Sequence, residues 1–201
     1  MAERKIIFLD KDGTLIPDIP YNVDPTLIHL YPGVRAALPL LQKAGYEFII
    51  VTNQSGVAKG YFKEEKLQEV RDKMEKLFAH AGVPLLDFFY CPHGNNLPGQ
   101  KGCGCRKPSA GMLRRAALKY ELELQDCWMI GDILNNIEAG NRASCKTIFL
   151  DRGNESFNDV GYNEYRIPHL YATHFMDLAH SLIYYDKKTK KHEKHTVDTI
   201  V

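Results

Sequence analysis

The sequence predicts an α/β fold: a mostly parallel β-sheet with helices on both faces, three layers in all. Two observations carry this. Short apolar runs rich in β-branched and aromatic residues alternate with longer segments of helical period, the pattern of successive βαβ units. The apolar runs are continuous rather than alternating, so each strand is expected to be buried on both faces, as parallel strands are.

The elements follow in order. Lys5–Leu9 (KIIFL) is the first strand candidate. Pro32–Ala44 (PGVRAALPLLQKA) opens with proline, which a first helical turn accepts, and stops at Gly45. Pro39 inside that segment violates the helix rule, so its shape is held open. Glu47–Thr52 (EFIIVT) is the second strand. Lys63–Ala81 places Leu67, Val70, Met74, Leu77 and Phe78 on one helical face and ends at Gly82. Asp87–Tyr90 (DFFY) is the third strand, and Ser109–Tyr120 is a helix with Ser109 at the N-cap. Cys127–Gly131 (CWMIG) and Lys146–Leu150 (KTIFL) are further strands; Asn135–Ala143 and His174–Tyr184 are shorter helices. Tyr185–Val201 carries five lysines and no helical period, and is expected to be a mobile or loosely docked extension. One domain over residues 1–184 and a polar extension over 185–201 is the expected organisation.

Composition excludes several classes. The 201 residues suit a single compact domain, and a net charge of +1 gives no global field for nucleic acid or membrane binding. The opening MAERKIIFLDKDG is charged too early for a signal peptide, and no apolar run reaches membrane-spanning length. A cytoplasmic protein is expected. Five cysteines, an odd number without an export signal, argue against a disulfide framework.

In sheets of this kind ligands sit beyond the carboxyl ends of the strands. Asp10 and Asp12 lie just past the first strand, Thr52 and Asn53 close the second, and Asp132 follows Gly131 at the end of a later one. Lys107 lies on a loop before a helix. Two neighbouring carboxylates, Asp10 and Asp132, repel unless a cation sits between them, and Mg2+ favours a few carboxylates with places left for water and phosphate. Asp10 is placed to attack phosphorus, and Asp12 to move the proton of the leaving oxygen. Lys107 and the Thr52 hydroxyl suit the charge on a phosphoryl group in flight.

DKDGTL at Asp10–Leu15, Thr52 in TNQSG, Lys107 in CRKPS and Asp132 in GD resemble, in order, the four motifs of the haloacid dehalogenase (HAD) superfamily of phosphohydrolases. The resemblance covers roughly Ile6 to Leu150. It implies a three-layer Rossmann-like fold, with Asp10 as nucleophile and Mg2+ ligand and Asp12 as general acid/base lending its carbonyl to the metal. It also implies Thr52 and Lys107 as phosphoryl ligands and Asp132 as a metal ligand. One departure stands out: many members carry a second acidic residue where this chain has Asn136, which is expected either to lower metal affinity or, with Asn135, to orient Asp132 indirectly.

Cys91–Cys105 (CPHGNNLPGQKGCGC) reads C-x-H, nine residues, C-x-C, a usual tetrahedral Zn2+ ligand set of Cys91, His93, Cys103 and Cys105. The loop holds almost no core-forming residue, so a closed structural zinc site would supply its order. Cys127 and Cys145 are expected to be small buried hydrophobes. With this zinc loop running directly into RKP, the chain is similar to the heptose-1,7-bisphosphate 7-phosphatases and to their relatives, the histidinol-phosphate phosphatases. The resemblance places Asn53 and Arg106 against substrate, Arg106 suiting a second phosphate or a sugar oxygen. Lys59 is a further cation for a second phosphate; an amine would instead want Asp18 or Asp24. About 40 residues separate Asp12 from Thr52 and about 55 separate Thr52 from Lys107, too few for a large cap domain. Pro17–Leu30, with Tyr21, Asn22 and Val23, and the zinc loop are left to line the entrance, and a monomer acting on a small phosphorylated metabolite is expected. The competing classes are a non-catalytic phosphate-binding protein on the same fold, a mutase, and a nucleic-acid binder. The last is disfavoured because Cys91–Cys105 contains no aromatic residue to stack on bases.

Overall fold

The computed structural model describes residues 4–94, 102–153, 155 and 163–197, the last eight of them as helix backbone only. Six strands form one sheet: β1 Lys5–Leu9, β2 Tyr46–Asn53, β3 Asp87–Cys91, β4 Trp128–Gly131, β5 Lys146–Leu150 and β6 Leu170–Ala172. Their spatial order is β3-β2-β1-β4-β5-β6. Among the described residues every strand pairing is parallel, with Ile7 opposite both Phe48 and Trp128. Strand order reverses between β1 and β4, and at such a switch point the loops leave in opposite directions and open a crevice.

Among the described residues five α-helices cover the sheet: α1 Pro32–Lys43, α2 Lys66–His80, α3 Gly111–Tyr120, α4 Leu134–Arg142 and α5 Phe175–Val197. The continuous apolar strands are explained by two cores. Ile7 and Leu9 of β1 face one core, with Val34, Leu38 and Leu41 of α1, Val70, Met74 and Phe78 of α2, and Leu178 and Leu182 of α5. Ile6 and Phe8 face the other, with Met112, Leu113 and Ala116 of α3 and Ala139 of α4. Cys127 and Cys145 are fully or almost fully buried in this second core, as small apolar side chains.

Four expectations need adjustment. Pro39 lies inside α1 without ending it. Ser109 is not an N-cap: α3 begins at Gly111 behind Ala110, and no side chain caps it. β6 was not expected; three residues at a sheet edge carry too little pattern to be distinguished from loop. The tail is helical rather than irregular over residues 185–197, because α5 runs through Tyr184 without a break, and its first residues are docked. Asp186 anchors it, accepting hydrogen bonds from Lys5 Nζ (2.5 Å) and from the Tyr46 hydroxyl, while Tyr185 sits edge-on to Trp128. Beyond that anchor the helix is polar, which hid its period. Residues 95–101 of the zinc loop and 198–201 of the tail fall outside the described residues. Among the described residues no helix is long and apolar enough to cross a membrane.

Candidate active site and metal centre

The site begins where β1 ends. The Asp10 N–H donates to Ile130 O (3.0 Å), carrying the β1–β4 pairing one residue further. The chain then turns sharply: Leu15 and Ile16 N–H both donate to Lys11 O, and Gly13 N–H donates to Ile16 O. Gly13 has φ +76°, and a Cβ there would lie 2.0 Å from Asp132 Oδ2. Both conformation and space demand glycine. The next residue, Thr14, donates from Oγ1 to Asp132 Oδ1 (2.8 Å). This turn thus holds the two ends of the switch point, Asp10 and Asp132, in register.

Asp10 is almost buried and both its oxygens are engaged. Oδ1 accepts from Lys107 Nζ (2.7 Å) and the Lys11 N–H (2.8 Å); Oδ2 accepts from Asn136 Nδ2 (2.8 Å). Lys107, 2% exposed, also donates to Val51 O (2.8 Å), so its ammonium is pinned between β1 and β2. Asn53 fixes the Lys107 backbone with two reciprocal hydrogen bonds of 3.1 Å. The lysine reaches the site from a loop because a strand-end asparagine holds that loop in place. Asp12 accepts from Lys11 Nζ (2.6 Å) and Gln54 Nε2 (3.1 Å), and the same Gln54 nitrogen donates to Thr52 Oγ1 (2.9 Å).

Burial pushes the Asp12 carboxyl above its usual range, against the pull of Lys11. Burial, and next the charge of Asp10, push Asp132 up to about 7. Two carboxylates share a desolvated crevice in which Lys107 pairs with Asp10, and Asn136 Oδ1 is buried without a hydrogen-bond partner. This donor set suits a hard divalent cation, which would hold both carboxylates ionised and bring water within reach of the orphan oxygen.

The structure brings the sequence-predicted residues together. Asp10, Asp12, Thr52, Asn53, Arg106, Lys107 and Asp132 line one cleft of about 330 Å³. Asp18, Tyr21 and Asn22 form part of its wall, whereas Val23 packs against the core instead. Sequence reasoning missed three contacts: Thr14 on Asp132, Asn136 on Asp10, and Gln54 joining Asp12 to Thr52. Thr14 lies within the motif beside Gly13, and that was its available signal; the contacts of Asn136 and Gln54 appear only once the strands are placed.

β3 ends in the second constellation. Cys91 Sγ lies 3.2 Å from Cys105 Sγ and 3.6 Å from Cys103 Sγ, and His93 Nδ1 lies 3.5 and 3.3 Å from the sulfurs of Cys91 and Cys105. All four ligand atoms fall within 4.8 Å of one another. A tetrahedron with metal–sulfur bonds of about 2.3 Å has edges of about 3.8 Å, so the cluster is slightly contracted relative to a zinc site. The sulfurs are free thiols. Burial pushes the Cys91 thiol up, a cost that a bound cation would reverse by stabilising thiolate. Arg106, next to Cys105, donates to His93 O (3.2 Å), tying this cluster to the cleft wall.

Comparison with known proteins gives the family. The family described as HAD-hyrolase-like matches residues 104–178. A D-glycero-beta-D-manno-heptose-1,7-bisphosphate 7-phosphatase of Haemophilus ducreyi is 38% identical over 161 residues, covering 79% of this chain and 88% of that protein. A D-glycero-alpha-D-manno-heptose-1,7-bisphosphate 7-phosphatase of Photorhabdus laumondii is 36% identical, covering 73% of this chain and 81% of that protein. The crystal structure of a D,D-heptose 1,7-bisphosphate phosphatase from B. bronchiseptica, complexed with magnesium and phosphate, superposes with a TM-score of 0.76. It is 31% identical and covers 89% of this chain and 98% of its own. The order of the strands, the loops that meet at their ends and these likenesses over most of both chains agree: the chain belongs to the HAD-like hydrolases and is a phosphatase of that family.

Proposed function

We propose that the protein is a Mg2+-dependent phosphomonoester hydrolase that removes the 7-phosphate of D-glycero-D-manno-heptose 1,7-bisphosphate through an aspartyl-phosphate intermediate. The observation that carries the reading is the convergence of Asp10, Asp12, Thr52, Lys107 and Asp132 on one cleft. The names of the relatives support the substrate.

The resemblance supplies the roles, and the contacts are compatible with them. Asp10 and Asp132 hold Mg2+, with the Asp12 carbonyl as a third oxygen. The cation, when bound, neutralises charge on the phosphoryl oxygens. An Asp10 oxygen attacks phosphorus as the bond to the sugar oxygen breaks. Asp12 gives its proton to that leaving oxygen, and its raised pKa favours the protonated form this needs. As a carboxylate it then takes a proton from water, which attacks phosphorus, releases phosphate and restores Asp10. Lys107 balances the charge of Asp10 and the transferring group. Thr52 Oγ1 already accepts from Gln54, so its own proton is available for a phosphoryl oxygen. Arg106 and Asn53 face the remainder of the substrate.

Zn2+ held by Cys91, His93, Cys103 and Cys105 is structural in this reading, since four protein ligands leave no open position. Reduced thiols in these roles fit a cytoplasmic protein. The test is phosphate release by purified protein with Mg2+ from both anomers of heptose 1,7-bisphosphate and from histidinol phosphate. A heptose bisphosphate preferred at least tenfold over histidinol phosphate, with turnover abolished in Asp10→Asn, is the expected result. Preference for histidinol phosphate would overturn the substrate, and turnover surviving in Asp10→Asn would overturn the mechanism.

A further inference from the structure

The first turn of α4 is held by a residue 31 positions later in the chain. Between β5 and β6 the chain makes a short 3-10 turn, Glu164–Arg166, and this turn is fastened to α4. Asn141 Nδ2 donates to Tyr165 O (2.8 Å) and to Ile167 O (2.9 Å), and the Arg142 guanidinium lies 4.7 Å from the centre of the Tyr165 ring. Arg166 completes the contact. Its Nε donates to Glu138 Oε2 (2.8 Å) and its Nη2 to Asn135 Oδ1 (3.2 Å). Asn135 and Glu138 are three apart, so they share one face of α4 and a single guanidinium spans both. Glu138 is buried, and Arg142 Nε donates to its other oxygen (2.9 Å). Burial opposes the charge of Glu138, but the bonds from Arg166 and Arg142 outweigh it and hold the carboxyl below its usual range. The Arg166 guanidinium is thus anchored by a charge beside Asn135.

That contact decides which way Asn135 faces. Arginine carries donors only, so the amide oxygen must be the atom turned toward it. The amide nitrogen is left over: among the described residues Asn135 Nδ2 donates to nothing. Asn135 is half-buried and lines the catalytic cleft together with Asp132 and Ile133. The opposite orientation would set an acceptor against a ligand whose own oxygens are acceptors.

We infer that Asn135 donates its amide hydrogens to an acceptor oxygen of the bound phosphate ester, and that Arg166 is the positioning residue that turns the amide that way. The inference rests on the reading of this cleft as a phosphatase site, whichever ester it takes. Two neighbouring asparagines of α4 then divide the work. Asn136 gives its amide nitrogen to Asp10, and Asn135 gives its own to the substrate. Arg166 touches neither the substrate nor the reacting atoms and acts through Asn135.

The test is a double-mutant cycle in kcat/KM, with a thermal midpoint for each variant. It is run on whichever of heptose 1,7-bisphosphate and histidinol phosphate the wild type turns over faster. Asn135→Ala should lower kcat/KM about tenfold and Arg166→Leu about fivefold. The double variant should fall no more than about twofold below Asn135→Ala, because a donor already absent cannot be misoriented. Arg166→Lys keeps a donor for Oδ1 without the planar fork and should lose only about twofold. Arg142→Ala is the structural control. It strips Glu138 of its other partner without touching Asn135, so it should lower the thermal midpoint as Arg166→Leu does and keep kcat/KM within about twofold of wild type. Asn135→Asp still offers Arg166 an oxygen but has no donor; it should melt at or above wild type and lose at least as much activity as Asn135→Ala. Losses that multiply in the double variant would overturn the inference, as would equal losses in Arg142→Ala and Arg166→Leu or full activity in Asn135→Ala. Histidinol phosphate as the faster ester would overturn only the substrate proposed above, and turnover of neither ester by wild type would overturn the phosphatase reading and this inference with it.

Discussion

Replacing Gly13 by alanine isolates what the turn after β1 does for the site. Two costs are added at once. Alanine in the left-handed region costs about 1–2 kcal/mol. The new methyl would also sit 2.0 Å from Asp132 Oδ2, where contacts below 3.0 Å are essentially never seen, so turn and carboxylate must part by at least 1 Å. Gly45 supplies the control: its φ is +94° and a Cβ there meets nothing within 4 Å, so Gly45→Ala carries the conformational cost alone. In a domain of this size each kcal/mol lowers the midpoint by about 2–4 °C. Gly45→Ala should therefore melt roughly 2–8 °C below wild type and keep wild-type turnover. Gly13→Ala should lose kcat/KM by about a hundredfold, the scale of a 1 Å misplacement in a catalytic constellation, and need more Mg2+ for half-maximal rate. Thermal melts and phosphate release on both variants are the assays. Gly13→Ala with activity within threefold of Gly45→Ala would refute the reasoning, since Asp132 would then not need its observed place.

Three further outcomes are expected. Metal analysis should find one zinc per chain, and Cys105→Ser should remove it and lower the thermal midpoint by more than about 5 °C; full stability without zinc would count against a structural metal. Asn136→Asp should tighten Mg2+ roughly tenfold by calorimetry, because affinity for hard cations rises with ligand charge; unchanged affinity would mean that Asn136 acts on Asp10 alone. Burial opposes the charge of Asp87, but hydrogen bonds from Lys119, the Phe88 N–H and Tyr120 outweigh it and hold the carboxyl below its usual range. A lowered folded value contributes stability above the unfolded pKa and loses it as pH falls through the folded one. Asp87→Asn should thus cost about 1–2 kcal/mol at pH 7 and progressively less below about pH 4 in urea titrations; a cost independent of pH would contradict the ionic role.

The legible parts of the fold were those with long pattern. β1, β2 and β4 are continuous apolar runs because they divide their side chains between two cores, β5 sets Ile148 and Leu150 in the first core and Phe149 against Leu134 and Ile137, and α2 shows one apolar face because only one face is buried. The parts that escaped were decided by partners distant in sequence. β6 exists because Leu170–Ala172 finds the open edge of β5. The helix beyond Tyr184 is secured by Lys5 and Tyr46, 181 and 140 residues away from Asp186. At the site, residue types at strand ends named the chemistry, since carboxylates, a threonine and a lysine in that order have few other uses together. The supporting contacts were invisible for the same reason as β6: nothing near Asn136 in the chain says that it will meet Asp10, 126 residues earlier.

The position of β1 at the centre of the sheet has a consequence for biosynthesis. Ile7 pairs on one side with Phe48 and on the other with Trp128. A chain emerging from the ribosome can therefore form the β1–β2 half early, but about 75 residues separate the end of β2 at Asn53 from Trp128, which opens β4 and covers the other edge of β1. Until then an apolar strand edge is open to pairing with other chains, a hazard that chaperones exist to limit. Closing so long a loop is also entropically slow, and the site is incomplete until that closure brings Asp132 to Asp10. Nascent or truncated chains ending before β4 should be aggregation-prone and without phosphatase activity, and the enzyme becomes chemically competent only when its two halves have met.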